Sequence, residues 1–328
     1  MRKIIYIILI FSMVLGVNKT GTSSAKFLSI NPGAKAVGMG GAFTAIADDA
    51  SCMYWNPSGI ARLQGMQLYA DHSPWLADIN YDYLGVSLPI SSNAAIGLNV
   101  VSMSMGEMDV RRYGNEDTGE TFKVGSYALG TSWAMNLTDR FSIGFNAKYI
   151  KEQISNSSAT GFAMDVGTLF NTIFGPTLGV SISNFGPKMR MRGSDLLVNV
   201  DISEIEGNNP NINAELSTDY FDLPLMLRVG LADGLKFGPV QVTWSVDAVN
   251  PNDNSEYLNV GCELNFFKMV YIRAGSKAMF MDEREELFTL GGGAKLGLSS
   301  GWNLKLDYVY EVMENLPDIH KYSLGFTF

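Results

Sequence analysis

Apolar and polar residues alternate at every second position from about residue 66 to the last residue, the period of a β-strand. The clearest stretch lies near the C-terminus, where Trp302, Leu304, Leu306, Tyr308, Tyr310 and Val312 alternate with Asn303, Lys305, Asp307, Val309 and Glu311. A helix would place Leu304 and Tyr308 on the same side as Lys305 and Asp307. Three further runs repeat the pattern. Phe141, Ile143, Phe145, Ala147 and Tyr149 alternate with Ser142, Gly144, Asn146 and Lys148. Val240, Val242, Trp244, Val246 and Ala248 alternate with Gln241, Thr243, Ser245 and Asp247. Leu258, Val260, Cys262, Leu264 and Phe266 alternate with Asn259, Gly261, Glu263 and Asn265. Runs of this kind predict about fourteen strands, an even number as single-chain bacterial barrels require. Their spans are 66–72, 79–89, 93–103, 119–135, 141–154, 158–170, 176–185, 223–232, 238–249, 255–267, 269–281, 286–298, 300–313 and 318–328.

The connections between these runs sort into two sets. Every second one is short and mostly carries Gly, Pro, Asn or Asp: 88–93, 136–140, 171–176, 233–238, 266–269 and 298–301. Such composition makes tight turns. The alternate set holds the two longest segments, 104–118 and 186–222, and acidic loops at 250–256 and 282–286. Short turns at one end and long loops at the other are the mark of an outer-membrane barrel with periplasmic turns and extracellular loops. A soluble sandwich also alternates. Strand length, the aromatic residues at strand ends and the N-terminus decide for the barrel.

That N-terminus reads as a secretory leader. Arg2 and Lys3 precede an apolar run over 4–17, and Ser23 and Ala25 form an A-x-A-like cleavage site. No apolar run reaches the ~20 residues of a spanning helix. The expected organisation is therefore a signal peptide over 1–25, a hatch or plug over 26–65 and an outer-membrane barrel over 66–328. The hatch segment lacks period two and is rich in Gly and Ala; Asn56-Pro57 looks like a helix N-cap followed by Pro at the first helical position. A barrel of this size encloses a wide lumen, and a plug is one way to fill it.

Charge and chemistry narrow the function. The formal charge is −9, and the first 25 residues hold three basic residues and no acid, so their removal leaves −12. A nucleic-acid partner is excluded by that sign. Cys52 and Cys262 are the only cysteines; an oxidising compartment would permit a bridge, but two free, buried thiols are expected. His72 and His320 are the only histidines, without metal-ligand spacing to Cys or carboxylates. Gly38-x-Gly40-Gly41 lacks the βαβ context of a dinucleotide fingerprint. The Gly291–293 run before Lys295 fails the P-loop spacing, and glycines in a strand serve to relieve crowding or curve the wall. Lys148, Asp165, Asp247, Glu263, Arg273, Lys305 and Asp307 could include a paired acid site but read as a paired or hydrated lumen lining. No catalytic residue, metal site or cofactor is expected, and the chain is read as a non-enzyme.

The stretch 31–50, NPGAKAVGMGGAFTAIADDA, continuing through Tyr54-Trp55-Asn56-Pro57-Ser58-Gly59, resembles the PorV/PorQ family of FadL-like fourteen-strand outer-membrane barrels. The run Trp75-Leu-Ala-Asp-Ile-Asn-Tyr-Asp-Tyr83 is similar to that family's second-strand entry, and Tyr322, Leu324, Phe326 and Phe328 resemble its terminal aromatic insertion signal. The resemblance implies a hatch containing Gly38, Gly40, Gly41, Asp48, Asp49, Trp55, Asn56 and Pro57. Asp48 and Asp49 would pair with lumen bases or cap a helix. It also implies a bacterial outer-membrane location and one of two roles. The first is a component of type IX protein secretion, with translocon and exported cargo as partners. The alternative is a transporter of a hydrophobic ligand, with Phe43, Met53 and Trp55 on the hatch side of an apolar pocket.

Overall fold

The computed structural model describes residues 21–328 apart from 116, 201–211, 282–283 and 299–300. Most of the expected leader, and the acidic residue Asp282, thus lie outside the described residues. The strands of the wall are β1 (Gln67–Pro74), β2 (Asn80–Pro89), β3 (Ala94–Ser104), β4 (Val124–Asn136), β5 (Phe141–Ile154), β6 (Ser157–Asn171), β7 (Thr177–Phe185), β8 (Met226–Phe237), β9 (Val240–Pro251), β10 (Tyr257–Phe266), β11 (Val270–Met279), β12 (Glu286–Gly297), β13 (Asn303–Met313) and β14 (Ile319–Thr327). Each pairs antiparallel with its neighbours in chain order, and the two-residue strand Arg192–Gly193 adds to the loop end of β6. The ring closes where β1 meets β14, with Gln67 opposite Thr327 and His72 opposite Tyr322. Closure satisfies every strand edge, the condition for crossing lipid with strands.

The boundaries differ from the sequence reading in two informative places. Asp233-Gly234 looks like a turn, but β8 continues to Phe237 and the chain reverses at Gly238, whose φ of +60° suits a tight turn. Residues 119–123 belong to a loop hairpin, Met108–Asp109 with Thr121–Phe122, rather than to β4.

Alternation sorts the two faces as period two requires. Leu98, Leu129, Phe162, Ile272 and Leu306 are exposed on the outside, while Asn146, Asp165, Ser245, Asp247 and Glu311 are buried in the lumen. Aromatics gather near both ends of the outer face. Phe141 packs on Phe170, Trp133 on Phe145 and Trp302 on Phe328 toward the turn end; Tyr149 packs on Phe162 and Tyr310 on His320 toward the loop end. Such girdles mark the two interfaces of a membrane-spanning barrel. Cys262 follows the same parity: it is free and exposed on the outer face, which corrects the expectation of a buried thiol. Cys52 is free and buried, and burial pushes its thiol pKa well above the usual value, the state of an inert packing residue.

Candidate functional site

The segment 22–65 occupies the lumen and runs its full height. At the loop end, the Ser24 amide donates to the Asp222 carbonyl, the Ala25 amide to a Glu152 carboxylate oxygen at 3.0 Å, and Lys26 pairs with Asp253 at 2.7 Å. Helix α1 (Ala34–Gly38) then lies against β12, β13 and β14. The short helix α2 (Cys52–Trp55) and a 3-10 turn, Pro57–Arg62, follow. Arg62 ends the segment at the turn end, where its guanidinium donates to Ser142, Asn171 and the carbonyls of Leu169 and Arg140.

Backbone this irregular is tolerated at membrane depth only when protein groups satisfy it. The wall supplies them. Asp247 accepts the amides of Phe43 and Thr44 at 3.0 and 2.9 Å. Ser323, itself hydrogen-bonded to Asp71, accepts the Ala34 amide at 2.7 Å. Lys321 donates to the Asn31 carbonyl at 2.9 Å while lying over Trp75.

Gly38 faces Gly291, and an added Cβ there would already touch the Arg273 side chain at 3.4 Å. At Gly40 the φ is +64° and an added Cβ would lie 2.6 Å from the Val260 carbonyl oxygen; Gly41 adjoins the Asn259 amide. Asp48 pairs with Lys35 of the hatch itself, not with the wall. Burial opposes the Lys35 charge, but nearby carboxylates, Asp48 foremost, outweigh it and raise its pKa. Asp49 accepts from the Ser51 amide and hydroxyl just before α2, and burial raises its pKa. Trp55 donates to the Pro32 carbonyl and carries the Arg228 guanidinium on its ring. Asn56 accepts from the Ser58 hydroxyl and donates to the carbonyls of Thr44 and Thr168, so its buried amide is satisfied on both sides. Pro57 fits against Gly144 and Gly167 of the wall. Phe43, Met53 and Trp55 are all buried, packed in the hatch core.

Sequence reasoning missed Lys35, Arg62, Asp71, Arg228 and Lys321 as hatch holders. The glycines at lumen-facing positions of successive strands carried the usable signal. At Gly275 an added Cβ would lie 2.1 Å from the Gly40 amide nitrogen. Gly275→Val is therefore expected to displace the hatch while the wall still forms, since β-branched residues suit strands. Ion conductance of the variant in planar bilayers should rise well above that of the parent chain; silent bilayers would count against the close-packed hatch.

The expected lumen charges are paired except Asp247, which holds the hatch amides of Phe43 and Thr44 instead. Arg273 bonds Glu263 and Asp307 at 2.6 Å each, Lys305 approaches Asp307 at 3.4 Å, and Lys148 pairs with Asp165 at 2.8 Å. Lys277 joins Glu286 and Glu311 in a second network. The histidines stand apart: His72 meets Asp82, and His320 meets the Tyr308 hydroxyl. No cluster of metal-ligating side chains occurs among the described residues.

At the outer mouth, the loop between β7 and β8 turns inward at Met189 and Leu223, both buried, and outward at a hairpin of Leu197–Val200 with Ile212–Glu215. Among the described residues that hairpin pairs with itself alone, and Leu197, Leu216 and Tyr220 are exposed around it.

A closed wall, girdled by aromatics and filled by the chain's own N-terminal segment, defines a plugged outer-membrane β-barrel. Residues 16–195 match the family model described as "Type IX secretion system protein PorV", and the chain belongs to that family. Comparison with curated proteins gives no match. Among solved structures, the chain is similar to the CymD monoaromatic hydrocarbon channel, with a TM-score of 0.61 at 13% identity over 91% of this chain and 98% of that one. It is similar to a Pseudomonas aeruginosa FadL homologue, with a TM-score of 0.52 at 13% identity over 95% and 98%. The Ralstonia pickettii toluene transporter TbuX gives 0.55 at 11% identity over 90% and 96%. At these identities the likeness is one of fold.

Proposed function

We propose that this barrel serves protein secretion as a membrane-held platform whose outward loops engage exported cargo and translocon components. The filled lumen carries this reading: the hatch is hydrogen-bonded to the wall from the Asn31 carbonyl to the Arg62 guanidinium, leaving the loops as the surface for partners. Membership of the PorV family supports it. Excising 197–215 should leave the barrel heat-modifiable on gels, because that hairpin pairs only with itself. Cross-linking of exported cargo to the protein in intact cells should fall severalfold. Undiminished cross-linking would remove the hairpin from the reading. An organism lacking the other type IX components would remove the reading itself.

The fold likeness to hydrocarbon channels favours passage of a hydrophobic small molecule as a second reading. That role needs an apolar path between hatch and wall and a break in the wall. The packed surroundings of Phe43 and Trp55 weigh against it, and pairing in the wall shifts register only at Met164/Val166, Leu258/Val260 and Glu286/Phe288 among the described residues.

A further inference from the structure

Beneath α1 the lumen opens into a vestibule of about 260 Å3, bordered by Lys35, Asp48, Asp49, Glu263, Lys295 and Lys305. An adjoining cavity shares Asp48, Gln67, Lys295 and Asn303 with it and leads past Leu63 and Gln64. Those residues lie at the turn end, so the vestibule faces the periplasm.

Most of its charges are already engaged. Lys35 holds Asp48, Arg273 holds Glu263 and Asp307, and Lys305 leans on Asp307. Two groups are left over. Asp49 is only 7% exposed, and its Oδ2 has no hydrogen-bond partner although Oδ1 is bonded to Ser51. Lys295 has no ion-pair partner among the described residues and stands where the two cavities join. A buried, half-satisfied carboxylate is costly, and a cation brought to it recovers part of that cost. A simple cation entering the vestibule would also meet Lys35 and Lys305, and a simple anion would meet Asp48 and Glu263. Only a molecule with opposite charges at its two ends matches both leftover groups. The volume lies below the roughly 300–1,000 Å3 of pockets for drug-sized ligands, which sets the size.

We propose that this vestibule binds a small periplasmic zwitterion, the size of an amino acid or dipeptide, with its ammonium on Asp49 and its carboxylate on Lys295. Gln241, Thr243 and Asn265 offer amide and hydroxyl groups along its side. This site is independent of the loops and of cargo engagement.

The test titrates the full chain in detergent micelles with dialanine, N-acetyl-dialanine and dialanine amide, read by ligand-observed NMR. Dialanine should bind saturably, and each blocked form about tenfold more weakly, as loss of one charge-assisted contact implies. Lys295→Met should weaken dialanine by a similar factor without changing the heat-modifiability midpoint. Asp49→Asn should do the same, and Lys295→Met remains the decisive variant should Asp49→Asn disturb the hatch. Equal binding of blocked and free peptides, no saturation by dialanine up to about 50 mM, or indifference to Lys295→Met would overturn the proposal.

Discussion

Removal of residues 322–328 is expected to abolish barrel closure and leave the chain in the periplasm, open to proteolysis. Strand β14 is hydrogen-bonded on both sides, to β1 from Gln67 to His72 and to β13 from Asn303 to Glu311. Its loss would strip two edges at once, and each unsatisfied backbone group facing lipid costs several kcal/mol. The barrel has no partial solution, because β1 and β13 would be left as edges with no common neighbour. Cell fractionation and a heat-modifiability gel measure the outcome; normal outer-membrane levels of the shortened chain would refute the closing-strand assignment. Phe328 makes the narrower test. Its amide donates to the Met66 carbonyl and its ring meets Trp302 edge-on at 4.9 Å. Phe328→Ala is expected to slow insertion more than it weakens barrels already formed.

Arg273→Met is expected to destabilise the folded barrel by about 3–5 kcal/mol, the usual cost of orphaning buried ionic partners. The Arg273 side chain is fully buried and joins Glu263 of the neighbouring β10 to Asp307 of β13, reached over Gly293 of β12. Without the guanidinium, two carboxylates remain enclosed close together. Urea unfolding of the protein in lipid vesicles gives the size of the loss. Adding Glu263→Gln and Asp307→Asn should restore most of it, because the cost lies in unpaired charge rather than in the missing bond. If the triple variant is no more stable than Arg273→Met alone, packing against Gly293 rather than charge accounts for the effect.

How much of this was legible beforehand depends on the distance over which the determining contacts act. The wall was legible because its period is local: parity alone placed Lys305, Asp307 and Glu311 inward and Leu306 and Tyr308 outward. Parity equally put Cys262 outside, and the expectation of burial failed because it followed the habits of cysteine in soluble cores instead of the strand's register. The cap at Asn56 was visible in four consecutive residues. The holders of the hatch were not, since Ser323 reaches Ala34, and Lys321 reaches Asn31, across nearly the whole chain. Asp48 illustrates the limit well. Its type announced a charge partner, but nothing local identified that partner as Lys35, thirteen residues earlier on the same segment.

The course of residues 22–65 constrains the order in which this protein is made. Lys26 is fastened at the outer mouth, while Arg62 is fastened at the inner one, so the thread enters from outside and leaves inside before the first strand begins. A closed cylinder cannot be threaded afterwards by a chain still attached at its far side. Reaching the outer mouth through the lumen therefore requires a free N-terminal end. A leader over 1–25 still moored in the inner membrane would hold Lys26 on the wrong side of the finished wall. If residues 1–25 are a leader, their release precedes the seating of this segment, and a peptide epitope fused directly ahead of Lys26 is expected to be displayed to the cell's surroundings.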